Sequence, residues 1–371
     1  MTSLPSSLGD LGAAVVGTGF IGAVHVEALR RLGVQVHGVV GSSPERVAAR
    51  AREVTLPPAY PSFEAMLDDK RVGAVHITSP NHLHHAHAKA ALEAGKHVVC
   101  EKPLTMTSAE SADLLRVADA SGLVHAVNYN LRFYPLVQHV QRLVARGALG
   151  EVRLVSGHYL QDWLLEEDDW NWRVDATLGG ELRAVGDIGS HWMDMTAFLT
   201  GRRITSVMAD LATFMPTRRG KAVKTEDAAT ILLRYEGEVR GALTVSQVSA
   251  GRKNSLVFEL DGAASAVAWD SERPDELWIG HRGRPNEVLQ RDPALIGEEG
   301  GLPPGHVEGF AETFKALYAS VYGAVATGEP GIGYPTFADG HDALLVMEAV
   351  ARSSRERRWV DVERASAVGA R

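Results

Sequence analysis

The chain has 371 residues, of which 45% are apolar and 23% charged, and a formal net charge of −8. That length predicts two domains, and the near-average composition excludes disordered and fibrous classes. The spread negative charge, broken only by short basic clusters such as Arg218-Arg219 and Arg355 to Arg358, gives no footprint for nucleic acid.

From Ala13 to about Asn130, buried-strand runs alternate with helical patterns. The runs are Ala13 to Val16, Val34 to Val40, Ala74 to Thr78, His97 to Cys100 and Val124 to Val127, which predicts a parallel doubly wound sheet. Between them, Val24, Ala28, Leu29 and Leu32 share one helical face closed by Gly33, and a second helix, Ala86 to Glu93, stops at Gly95. After about Leu149-Gly150 the pattern becomes strand-like alternation at 152–159, 204–213, 229–235, 239–248 and 255–260, which predicts a largely antiparallel open sheet. Trp192 to Leu199 and Gly309 to Ala326 are the helices expected to flank it, and a last helix, Phe337 to Ser354, precedes a short Trp359 to Val362 end. The expected division is 1–131 for the first domain and 132–371 for the second.

Cys100 is the single cysteine, which leaves no disulfide framework and fits a reducing compartment. Met1 to Asp10 has neither a positive start nor a long apolar run, and no stretch reaches about 18 uncharged apolar residues. The expectation is a cytoplasmic protein without a membrane partner.

Gly17-Thr18-Gly19-Phe20-Ile21-Gly22 follows the first strand directly and opens a helix, the context a dinucleotide-binding turn requires. Gly17 permits the turn, Gly19 lets the backbone approach a pyrophosphate, and Gly22 allows helix and strand to pack closely. About 20 residues further on, a carboxylate for the ribose 2′-hydroxyl is expected for NAD, but the chain has Gly41-Ser42-Ser43. Ser42, Ser43 and Arg46 suit a 2′-phosphate, so NADP is favoured over NAD. Ser43-Pro44-Glu45 also reads as an ordinary helix start, and both readings can hold.

Two further segments carry chemistry: Glu101-Lys102-Pro103 at the end of a buried strand, and Gly186-Asp187-Ile188-Gly189-Ser190-His191 before an apolar helix. With the glycine turn and Thr78-Ser79-Pro80-Asn81, they resemble the glucose-fructose oxidoreductase/inositol dehydrogenase (Gfo/Idh/MocA) family over nearly the whole chain. The resemblance implies a Rossmann domain followed by an α+β substrate and oligomerisation domain, and NAD(P)-dependent hydride transfer at a carbinol carbon of a sugar, anhydrosugar or cyclitol. It implies catalytic roles for Lys102, Asp187 and His191. A lysine orients the hydroxyl and stabilises developing alkoxide charge, and an imidazole takes or returns the proton. It also implies that Ser79, Pro80, Asn81, His84 and Glu101 line the cofactor, that Arg132 reaches the active site, and that Trp172-Arg173 approach the nicotinamide end. Glu181 departs from the small residue many relatives carry.

Two other functions share these features. One is a glycoside hydrolase of the same family that oxidises its sugar transiently. The other is a nicotinamide-sensing regulator without chemistry, against which the joint presence of Lys102, Asp187 and His191 argues. Trp163, Trp170 and their polar neighbours predict a platform for a neutral polyol, since phosphate recognition would need spare basic residues and only Arg132, Arg173 and Arg183 are candidates. Packing of the same tryptophans for core reasons is the competing account. His82, His84, His85 and His87 look superficially like a metal cluster, but the chemistry needs no metal. A homodimer or homotetramer is expected from the open sheet.

Overall fold

The computed structural model describes residues 11–297, 301–328 and 333–364. They form two compact units, the first comprising the described residues of Met1–Tyr134 and Glu298–His341, the second those of Pro135–Gly297 and Asp342–Arg371.

The first unit is built on strands β1 (Gly12–Val16), β2 (Val36–Val40), β3 (Val72–Ile77), β4 (His97–Cys100) and β5 (His125–Val127). All neighbours pair in parallel in the order β2-β1-β3-β4-β5. The central strands are apolar on both faces because helices cover both. These helices are α1 (Phe20–Arg31), α2 (Pro44–Ala51), α3 (Phe63–Asp68), α4 (His84–Glu93) and α5 (Ser108–Ser121). Thr107 and Glu110 close α5 with a reciprocal capping box.

The second unit starts with helix α6 (Pro135–Ala145) and strand β6 (Val152–Leu160), followed by a short helix α7 (Ala176–Gly179) and helix α8 (Ser190–Thr200). Strand β7 (Ile204–Ala212) leads to a small hairpin, β8 (Thr217–Arg218) with β9 (Lys221–Ala222). Then come β10 (Ala228–Tyr235), β11 (Arg240–Ser246), β12 (Ser255–Gly262), β13 (Ala266–Asp270), β14 (Glu276–Gly280), β15 (Glu287–Gln290) and the short helix α9 (Pro293–Ile296). In chain order there follow helix α10 (Phe310–Thr327), helix α11 (Phe337–Glu356) and the strand β16 (Val360–Asp361), the last elements among the described residues. The large sheet runs β15-β14-β13-β12-β6-β11-β10-β7-β16, antiparallel except that β11 pairs with β6 in parallel. Strand β10 shows why the sheet is one-sided: Ala229, Ile231, Leu233 and Tyr235 are buried while Thr230, Leu232 and Arg234 are exposed. Helix α8 covers the buried face, and its Trp192 donates through Nε1 to Val257 O at 2.9 Å.

The helix read at Gly309 to Ala326 does not flank this sheet. As α10 it belongs to the first unit, where Phe314, Leu317, Tyr318, Val321 and Tyr322 share one core with Val26 and Leu29 of α1. Its apolar face fits any apolar partner, so its periodicity carried no address.

Candidate functional site

In the first unit, the glycine turn has the shape an anionic ligand needs. Gly17 has φ +114°, and a Cβ there would lie 2.4 Å from Thr78 Oγ1. A Cβ on Gly22 would lie 2.2 Å from Gly17 O, so helix and strand meet with no room for a side chain. Gly19 is the opposite case: a Cβ on it would meet nothing within 4 Å. It caps α1 without a side-chain hydrogen bond or an acidic residue in the first turn, which leaves the helix N-terminus facing open space. An uncapped helix N-terminus of this kind is the type of site that can receive a dinucleotide pyrophosphate. Thr18 lies inside the turn, Phe20 is exposed where α1 begins, and Ile21 packs against the core.

Beyond β2, the Ser43 hydroxyl accepts the Arg46 N–H at 3.3 Å and caps α2. Ser42 and the Arg46 side chain are exposed. Ser79, Pro80 and Asn81 lead from β3 into the turn Asn81–Leu83, and the Ser79 hydroxyl lies 3.1 Å from His87 Nδ1. Buried His84 spans two loops: Nε2 lies 2.8 Å from Ser79 O and Nδ1 2.8 Å from Pro103 O. His85 pairs with Asp113 at 3.0 Å, and burial pushes His87 down to about 4.

Glu101 and Lys102 follow β4, with a cis Lys102–Pro103 bond and Lys102 half-buried. The Glu101 carboxylate accepts the Lys102 backbone N–H at 3.2 Å, Asn128 Nδ2, and His25 Nε2 at 3.1 Å. The chain continues inward: His25 Nδ1 lies 3.1 Å from His76 Nδ1, and His76 Nε2 lies 3.1 Å from the Tyr322 hydroxyl. An ionised carboxylate only accepts, so His25 donates from Nε2. A neutral His25 must then accept at Nδ1 from His76, which accepts the Tyr322 proton at Nε2. Burial first, and His25 second, push His76 well below the ordinary imidazole range, consistent with a neutral ring. Arg132, also in this unit, is buried against Asp339, Nη2 to Oδ1 at 2.9 Å.

In the second unit, Asp187 lies in a π-helical turn, Val185–Gly189, that runs into α8, where buried His191 is the second residue. Asp187 accepts from Arg173 Nε at 3.2 Å through Oδ1 and from Gln247 Nε2 at 2.9 Å through Oδ2. Arg173 also stacks on Trp172, 4.5 Å from the ring centre. Trp163 and Trp170 are half-buried against Leu164, Val174 and Val223, and Trp163 Nε1 donates to Gln161 Oε1 at 2.7 Å. Glu181 is exposed and pairs with Arg355.

Sequence reasoning missed Gln247 and two adjacent buried acids, Glu226 and Asp227, at the head of β10. Glu226 Oε1 accepts the N–H groups of Arg183 at 2.9 Å and Val185 at 2.8 Å, and so caps the turn that carries Asp187. Burial pushes its carboxyl up to about 7. Asp227 Oδ1 takes both Arg183 and Arg218, each fully buried. Burial alone would raise this carboxyl, but the Met215 N–H and the two guanidiniums hold it below the usual range. Three charged residues within the four positions 224–227 read as a solvated loop, which hid them.

A family model described as "Oxidoreductase family, NAD-binding Rossmann fold" matches residues 11–129, and the GFO/IDH/MocA C-terminal domain model matches residues 137–267. Levoglucosan dehydrogenase of Pseudarthrobacter phenanthrenivorans is 30% identical over 392 residues, covering 96% of this chain and 100% of its own. The chain belongs to the Gfo/Idh/MocA oxidoreductase family. The solved structure of levoglucosan dehydrogenase in complex with NADH and levoglucosan matches this Gfo/Idh/MocA protein with a TM-score of 0.89 at 29% identity, over 95% of this chain and 100% of the other. An oxidoreductase domain protein from Kribbella flavida matches with a TM-score of 0.88 at 31% identity, over 96% and 100%. This Gfo/Idh/MocA protein is therefore an oxidoreductase that uses a nicotinamide nucleotide. Among the described residues, no helix is long and apolar enough to cross a membrane, and no group of three or more His, Cys, Asp or Glu side chains is placed to hold a metal ion.

Proposed function

We propose that this Gfo/Idh/MocA protein moves a hydride between a nicotinamide nucleotide and a carbinol carbon of an unphosphorylated sugar, anhydrosugar or cyclitol. One observation carries the substrate charge: the three arginines that could recognise a phosphate are each committed to a carboxylate. Arg132 pairs with Asp339, Arg173 with Asp187, and Arg183 with Asp227. A phosphorylated substrate would have to break one of these pairs, whereas a neutral polyol needs only an apolar platform and a few polar groups. Trp163 and Trp170 supply the platform in this reading. The levoglucosan complex of a relative supports the substrate class.

The bound nicotinamide supplies the hydride acceptor or donor. Lys102 orients the hydroxyl and stabilises alkoxide charge as it develops. His191 takes or returns the proton, and Asp187, held from two sides by Arg173 and Gln247, orients His191 or the substrate. Ser79, Asn81, His84 and Trp172 line the cofactor. NADP is preferred over NAD, a reading supported by exposed Ser42 and Arg46 beyond β2. The protein works in the cytoplasm as a homo-oligomer. Leu154, Met208 and Leu232 share the uncovered face of the large sheet and are 51%, 38% and 44% exposed, a surface a second copy can cover. Light scattering that returns a monomer mass overturns the oligomer.

The deciding experiment is a panel of free sugars, anhydrosugars, inositols and sugar phosphates, read by the absorbance of reduced cofactor. Turnover of neutral members with accumulation of reduced cofactor is expected. Reaction of sugar phosphates alone overturns the substrate reading, and glycoside cleavage without net reduced cofactor overturns the reaction.

A further inference from the structure

Residues 161–171, between β6 and the turn Trp172–Val174, form an irregular strap that carries Trp163 and Trp170. Its carbonyls are fastened from one place. Arg218, on the β8–β9 hairpin, is fully buried although Arg219 beside it is exposed. Its Nη2 donates to Leu164 O at 2.7 Å and to Asp227 Oδ1 at 3.0 Å, while Nη1 donates to Glu166 O at 2.7 Å and, more weakly, to Asp169 O at 3.4 Å. The same hairpin adds Arg219 Nε to Asp168 O at 2.7 Å and Lys221 Nζ at 5.2 Å from the centre of the Trp170 ring.

A buried guanidinium is costly unless its donors are met, and here both Nη groups are met, by carbonyls that lie between the two tryptophans and by Asp227, while Nε is left without a partner. The planar fork fixes these carbonyls relative to one another, which a single ammonium cannot do. The spacing and tilt of the two indoles follow from where the carbonyls are held. Asp227, at the head of β10, anchors Arg218, and its neighbour Glu226 caps the Asp187 turn. The strap and the turn are thus referred to one point of the sheet.

We propose that Arg218 is a specificity-determining positioning residue, which sets the geometry of the Trp163 and Trp170 platform for the sugar ring without touching it. This rests on the reading that those indoles meet the substrate.

The test compares Arg218→Lys, Trp163→Ala and the double variant on the sugar that turns over best in the panel, with cofactor affinity measured by calorimetry. Arg218→Lys is expected to raise KM about tenfold with kcat changed by less than about threefold and cofactor affinity unchanged, the pattern of lost uniform binding. The double variant should raise KM by less than the product of the single effects, because the two residues act through one platform. Lys221→Ala, a change on the hairpin surface, should raise KM by a smaller factor and keeps the proposal testable if Arg218→Lys fails to fold. An unchanged KM in Arg218→Lys and Lys221→Ala, with a raised KM in Trp163→Ala, overturns the proposal and leaves the platform standing. Unchanged KM in all variants overturns the platform and the proposal with it. A parallel loss of kcat, KM and cofactor affinity in Arg218→Lys makes Arg218 a general structural residue and also overturns it.

Discussion

His25 and Glu101 are joined at the buried end of β4, Nε2 to Oε1 at 3.1 Å, although they stand 76 positions apart in the chain. This bond ties the α1 helix, which begins at the nucleotide turn, to the backbone of Lys102 through one carboxylate. His25→Ala would leave Glu101 and His76 each short of a buried partner, at about 1–3 kcal/mol for each unmet group. The variant should show a clearly lower urea midpoint and lower turnover. His25→Gln, whose amide can still donate to Glu101, should recover part of both. Wild-type stability and turnover in His25→Ala would show the bond to be incidental.

Lys102→Ala is expected to keep cofactor affinity while lowering turnover at least about a hundredfold, the scale of a lost electrostatic stabiliser. His191→Ala should cost a similar factor and flatten the pH–rate profile, since general acid–base help is worth about a hundredfold or more. Calorimetry and initial rates across pH decide both, and near-normal turnover or an unchanged profile would remove the corresponding role.

Cofactor choice is read by titrating NADP and NAD in parallel. Tighter NADP binding is expected, and Arg46→Ala should shrink the difference by removing a guanidinium from the 2′-phosphate. Equal affinities, untouched by Arg46→Ala, would leave the segment as the α2 cap that Ser43 already makes.

Glu226 gives stability a pH dependence with a definite sign. Its carboxyl rises from 4.5 to about 7 on burial, so between those values the folded protein holds a proton that the unfolded chain releases. The contribution is fully present below about 4.5 and is lost as pH rises through about 7, about 3 kcal/mol across the window. Glu226→Gln can still accept the Arg183 and Val185 N–H groups through Oε1. It should therefore fold well, with a smaller fall in urea midpoint between pH of about 5 and about 8 than the wild type shows. Parallel curves for the two proteins would count against a protonated Glu226.

The parallel sheet was legible because its strands are apolar on both faces and the glycine turn has a fixed place after β1. Strands β13 to β15 were not, since stretches such as Glu287–Gln290 are largely exposed and carry little alternation. The parallel pairing of β6 with β11 was illegible for another reason: the residues between them hold α8, β7 and β10, and nothing local says which strands meet. Lys102, Asp187 and His191 could be singled out as motifs, but their partners could not. Gln247 stands just past the end of β11 and Arg218 in a basic hairpin, and only the fold shows that each is buried. His25 did leave a signal, because it sits on the helical face of Ala28 and Leu29 and must therefore point inward.

The return of α10 to the first unit sets an order of assembly during synthesis. A nascent chain that has reached Tyr134 already contains all five strands of the parallel sheet, yet lacks the helix that supplies Phe314, Leu317 and Tyr318 to their core. About 190 residues more must leave the ribosome before Thr327 emerges. At ~5–20 residues per second that is a wait of roughly 10 to 40 seconds. Throughout it, Val26 and Leu29 lack the α10 side chains they pack with, so the unit begun first closes only after most of the other has been made.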